Sequence, residues 1–77
     1  MERIQFPPES HLHSAGYDPS AQVLEVAFKD FKTGAVRSVW QYLQVPPITN
    51  EELHAAEHPG KYFNEHIKGV FDGHRVD

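Results

Sequence analysis

Val23-Leu24-Glu25-Val26-Ala27-Phe28-Lys29 and, a few residues later, Val36-Arg37-Ser38-Val39-Trp40-Gln41-Tyr42-Leu43 carry the pattern that decides the fold. In the first stretch Leu24, Val26 and Phe28 alternate onto one face, the period-two signature of a half-buried strand. In the second, Val36, Ser38, Trp40 and Tyr42 share one face, and Arg37, Val39, Gln41 and Leu43 the other. Asp30 to Gly34 between them reads as a turn, with Gly34 free to take the positive φ. Upstream, His11 to Tyr17 leads into Asp18-Pro19-Ser20. That triplet is a second turn, because Asp bonds its own backbone and Pro pre-sets φ. Pro46-Pro47 ends the third strand, since proline gives no N–H to a ladder.

The period then changes. Thr49-Asn50-Glu51-Glu52 has the Thr-x-x-Glu form of a capping box and predicts a helix running to about Glu57, punctuated by Pro59-Gly60. A second helix is expected from Lys61 to about Phe71, with Phe63, Ile67, Val70 and Phe71 as its buried stripe. The expected architecture is α+β: a three-stranded antiparallel meander followed by two helices packed on one face, β-β-β-α-α. Residues 1–9 read as an extended arm, 10–72 as one domain and 73–77 as a polar tail.

A chain of 77 residues is one domain, and it buries only about 60% of the surface its unfolded form exposes. A large cofactor site is excluded by size. With no cysteine, disulfides, thiolate metal sites and thiol catalysis are excluded too. Nine aromatics, five Phe, three Tyr and one Trp, are too many for a disordered chain and point to a core built on rings. The formal charge is −4, without the basic stripe that most nucleic-acid binders display. Six histidines would reverse that sign if all were protonated. The sequence shows neither a signal peptide nor an apolar run of membrane-spanning length, so the expectation is a cytoplasmic protein without membrane contact.

Gly16-Tyr17-Asp18, Leu24-Glu25-Val26-Ala27-Phe28, Trp40-Gln41-Tyr42 with Val45-Pro46, and Ala56 to Asn64 followed by Ile67 together resemble the KTSC domain. The likeness extends over roughly residues 10–71. That family is a short module, stand-alone in bacteria and phages and also found at the carboxyl end of some lysyl-tRNA synthetases. It centres on a Tyr-x-Tyr motif, whose first ring is Trp40 here. Where the family has a small hydroxyl residue and a lysine before the glycine of its second helix, this chain has His58 and Pro59. The resemblance implies RNA binding only by analogy with the synthetase context, and it brings no assigned activity.

Trp40 and Tyr42, two rings at i and i+2, could stack successive bases, with Arg37, Lys29, Lys61 and Lys68 for phosphates. The plainer alternative, which the small size favours, is that both rings anchor the core. Gly60-Lys61-Tyr62-Phe63-Asn64 opens a helix, where free N–H groups, Gly60 and Lys61 could seat a phosphate; the alternative is a simple tight start with packed rings. His54-Ala55-Ala56-Glu57-His58 matches the H-x-x-E-H zinc pattern. Pro59 stops that helix at once, a third ligand is missing, and so small a chain cannot build a protease cleft. His11 and His13, two apart, would share a strand face. The serines and Asp18 form no nucleophile arrangement.

The reading is therefore a non-catalytic binding module without cofactor or metal. Its candidate ligand or nucleic-acid residues are Arg37, Trp40, Tyr42, Gly60, Lys61, Tyr62, Asn64 and Lys68, with His54 and His58 as weak metal candidates. The first partner class is nucleic acid. The alternative is a self-assembling protein-interaction module, a homo-oligomer able to hold a small anionic ligand such as a nucleotide.

Overall fold

The computed structural model describes all residues, 1–77. The element order is β1 (Ile4–Gln5), β2 (Leu12–Asp18), β3 (Val23–Lys29), β4 (Val36–Tyr42), α1 (Pro47–Ala55), α2 (Pro59–His66) and β5 (Gly73–Arg75). All five strands form one antiparallel sheet in sequence order. The predicted meander is its middle, β2-β3-β4. Its turns close as expected. Asp18 Oδ1 accepts from Ser20 N at 3.0 Å; Asp30 Oδ1 accepts from Lys32 N at 2.8 Å, and Gly34 takes φ +75°.

The expected three strands are five. Ile4 and Gln5 of the arm pair with Ala15 and Ser14 of β2. Gly73, His74 and Arg75 of the tail pair with Tyr42, Gln41 and Trp40 of β4. Each covers an edge of the meander that would otherwise leave a row of ladder groups unpaired. Strands of two and three residues are too short to show alternation, so their sequences gave no signal.

Both helices also shift. α1 starts at Pro47 rather than Thr49, with Pro at its first turn, where a missing N–H is harmless. The capping box does not form: Thr49 lies inside the helix and is buried, and Pro46 is the N-cap residue without a side-chain cap. α1 ends at Ala55, before Glu57. α2 starts at Pro59 and stops at His66, five residues short of Phe71. Lys68 N bonds back to Phe63 O at 2.9 Å and Gly69 enters the left-handed region at φ +78°. That turn takes Val70 out of the expected stripe, leaving it 62% exposed.

The helices cover the face that bears Leu24, Val26 and Tyr42. With Leu12, Ala15, Val45, Leu53, Phe63 and Ile67 these form the buried core. Phe63 is its pivot, meeting the rings of Tyr42 at 5.4 Å and Phe28 at 5.3 Å edge-on, a favoured aromatic geometry. Tyr17 OH donates to Val45 O at 2.6 Å and ties β2 to the segment that leaves β4.

Candidate functional site

Antiparallel register places Phe28 opposite Ser38, Val26 opposite Trp40 and Leu24 opposite Tyr42. Phe28, Trp40 and Tyr42 therefore rise from one face of the sheet. α2 crosses the Tyr42 end of that face and stops. The chain then turns through Gly69 and returns as Phe71-Asp72-Gly73 to enter β5. A groove of about 610 Å³ opens between the sheet, the last turn of α2 and this return. Its floor is Phe28, Trp40, Tyr42 and Phe63, its far wall Phe71, and its polar lining His11, Asn64, Lys68 and Asp72. The volume is that of a small-molecule or single-nucleotide site.

Trp40 and Tyr42 are not equivalent. Tyr42 is 6% exposed and belongs to the core, and burial raises the pKa of its hydroxyl. Trp40 is half-buried, packed against the core on one side and open to the groove on the other. It is the ring a ligand can reach. Tyr42 is thus a core anchor, and Trp40 is half-buried at the groove.

Past Trp40 the groove runs into a shallower hollow of about 360 Å³, which shares His11, Phe28 and Trp40 and adds Lys29, Arg37 and Arg75. Phe31 overhangs it, 81% exposed. Lys29, Arg37, Lys68 and Arg75 are four of the seven basic side chains, and Asp72 is one of eleven acidic ones. The negative net charge thus hides a locally positive band. Lys29 Nζ donates to Pro8 O at 3.0 Å, and Arg75 Nε to Asp77 Oδ1 at 2.8 Å. Both contacts are exposed, where such pairs are weak and readily exchanged. Arg37 alternates away from Trp40 along β4 and borders the hollow only at its rim.

The other candidates lie elsewhere. Gly60 and Lys61 line a separate depression of about 180 Å³ at the start of α2, together with Glu9 and Glu57. These carboxylates offset Lys61 there. Tyr62 OH donates to Glu52 Oε1 at 2.8 Å. Desolvation and then the Glu52 hydrogen bond and charge push its pKa up to about 12. It also packs on His66 at 4.5 Å, so it braces α2 against α1.

The H-x-x-E-H pattern loses its helical register. α1 ends at Ala55, Ala56 is extended at φ −66°, ψ 139°, and His58 is the N-cap residue of α2. His54 stacks on Phe6 at 5.1 Å, and burial lowers its pKa. The residues bring no three His, Cys, Asp or Glu side chains together in metal-binding geometry. A bulge between Leu12 and Ser14 interrupts the β2–β3 register at His13, so the alternation that would align His11 with His13 is broken. His13 Nδ1 instead lies 2.9 Å from Ser14 Oγ.

The structure therefore gathers Arg37, Trp40, Tyr42, Asn64 and Lys68 along one surface, and leaves Gly60, Lys61 and Tyr62 off it. Sequence reasoning missed His11, Phe71, Asp72 and Arg75 there. The visible signal was Gly69, a helix breaker that ends α2 before Phe71.

Comparison with known proteins agrees with this architecture. The KTSC domain family matches residues 8–71. An uncharacterised protein of Stutzerimonas stutzeri is 38% identical over 68 residues, covering 88% of this chain and 86% of its own. Lysine–tRNA ligase of a Nostoc species is 35% identical over 65 residues, 84% of this chain but 10% of the ligase. The crystal structure of a KTSC domain protein from Yersinia pestis superposes with a TM-score of 0.84 at 30% identity, over 99% of this chain and 97% of that one. The family match over residues 8–71 and the superposition of the whole sheet with its two helices lead to one conclusion: the chain belongs to the KTSC domain family.

Proposed function

We propose that the protein is a non-catalytic module that binds single-stranded nucleic acid, RNA in the first place, along the groove and its adjoining hollow. One observation carries this reading: an open aromatic floor centred on Trp40 runs into a rim of Lys29, Arg37, Lys68 and Arg75. Stacking platforms beside cations are what strand binding without a duplex needs. The resemblance to part of lysine–tRNA ligase, an enzyme whose name gives it a tRNA substrate, favours RNA over DNA. Trp40→Ala should weaken a labelled RNA oligonucleotide by about tenfold, the loss of one base stack. Binding should fall steeply with added salt, because phosphate contacts release counterions. Affinity unchanged in Trp40→Ala and flat with salt would refute the reading.

A second reading, self-assembly around a small anion, is favoured by the exposure of Phe31 (81%), Val70 (62%) and Ile4 (61%). It ranks second because the edge strands span two and three residues, too short for edge-to-edge pairing. A mass that rises with concentration in sedimentation would support it.

A further inference from the structure

Asp72 is the one carboxylate among the residues that line the groove and the hollow, the other nearby carboxylate, Asp77, being paired with Arg75 at the rim. A phosphate-binding band gains nothing from it, since it repels the backbone that the rim attracts. Yet its position is fixed on both sides. Its carbonyl accepts from Leu43 N at 2.8 Å, and the next residue, Gly73, lies so close to the Tyr42 ring that no Cβ fits between them. Asp72 itself is exposed and lines the groove with Asn64 and Lys68 against the aromatic floor. A carboxylate only accepts hydrogen bonds. Held beside a stacking floor, it can bond a base that presents an exocyclic amino group there, and it repels a carbonyl oxygen in that place, which leaves uracil only its ring N3–H to offer. Adenine and cytosine carry such amino groups, and uracil carries a carbonyl in the same place. Asn64, with both a donor and an acceptor, can complete either edge.

We infer that Asp72 is a specificity-determining residue that makes the groove select amino-bearing bases over uracil. This rests on the nucleic-acid reading and says what that site prefers. Asp72→Asn replaces the acceptor-only group by an amide of the same shape that can donate to a uracil carbonyl, and it removes the repulsion toward phosphate.

The test is fluorescence anisotropy with labelled oligo-A, oligo-C and oligo-U of about eight nucleotides, on wild type, Asp72→Asn, Asp72→Ala and Trp40→Ala, each checked for a native circular-dichroism spectrum. Wild type should bind oligo-A and oligo-C about tenfold more tightly than oligo-U, the effect of one good base-edge hydrogen-bonding pair. Asp72→Asn should strengthen oligo-U and close the gap, and Asp72→Ala should close it without strengthening oligo-U to the same degree. Salt-sensitive, Trp40-dependent binding with equal affinity for the three oligomers, or a preference that both Asp72 variants keep, overturns the inference and leaves the binding reading standing. No binding of any oligomer at low salt overturns both.

Discussion

Gly60 lies against the ring of His11: a Cβ at position 60 would sit 2.5 Å from Nδ1 and 2.6 Å from Cε1. The His11 ring stacks on Phe28 at 6.2 Å and meets Phe63 edge-on at 6.4 Å, so to make room it must give up those contacts. The glycine at the start of α2 is thus a packing device that lets the helix close on the sheet. Gly60→Ala should destabilise the fold by about 1–3 kcal/mol, an overpacking cost, and lower the melting temperature by roughly 4–8 °C per kcal/mol. The double variant with His11→Ala should be less destabilised than the sum of the two single changes. Additive effects in that cycle would contradict the contact.

Two half-buried imidazoles set an acid limit. Burial lowers the pKa of His54, and burial followed by the Lys68 charge lowers that of His11, both from 6.5. The unfolded chain therefore binds more protons than the folded one below about pH 6.5, so stability is full above that pH and falls as the pH drops toward the folded values. Thermal melts from pH 8 to pH 5 should show the midpoint declining below about 6.5. His54→Phe, which keeps a ring against Phe6, should flatten part of that slope. A midpoint constant across the range would contradict the lowered pKa of both rings.

At the alkaline end the sign follows from Tyr62, whose pKa rises from 10.0 to about 12. Its contribution is full below pH 10 and is lost as the pH climbs toward 12. Tyr62→Phe should reduce the alkaline loss in a pH-dependent melt and leave the part that belongs to Tyr42 and Tyr17, whose pKa values burial also raises. It should leave oligonucleotide affinity unchanged, because Tyr62 faces Glu52 and not the groove. A large loss of affinity in this variant would move the site to the α2 start.

β5 can be loosened by one substitution where it meets the core ring of Tyr42. A Cβ on Gly73 collides with the Tyr42 ring, which is 6% exposed and cannot swing away. Gly73→Ala should free residues 72–76, speed hydrogen exchange at Leu43 and Val76, whose amides donate to Asp72 O and Val39 O, and weaken oligonucleotide binding as Asp72 and Arg75 lose their places. Unchanged exchange at both amides would show that the ring accommodates the methyl.

How much of this was legible follows the reach of each signal. The β3–β4 hairpin was readable because Leu24, Val26, Phe28, Trp40 and Tyr42 alternate and Gly34 marks the turn. The edges were not, because Ile4–Gln5 and Gly73–Arg75 are defined by the strand beside them rather than by their own pattern. The same holds for the site. Trp40 and Asn64 stand on β4 and α2, and Lys68 follows α2 by two residues, so all three were visible. Asp72 and Arg75 join them only because Gly69 turns the chain back along β4. The capping box failed because Pro47 offers an earlier helix start than Thr49.

The measurement that bears most directly on the binding surface is a ¹⁵N–¹H titration of the protein with a single-stranded RNA oligonucleotide at low salt. The account predicts that the Trp40 indole and the amides of Asn64, Lys68, Phe71, Asp72 and Arg75 shift together, while those of Glu25, Gln41 and Tyr62 stay in place. Shifts confined to the Gly60–Lys61 depression or to the Glu25–Gln41 face of the sheet, or none at all at saturating RNA, would contradict it.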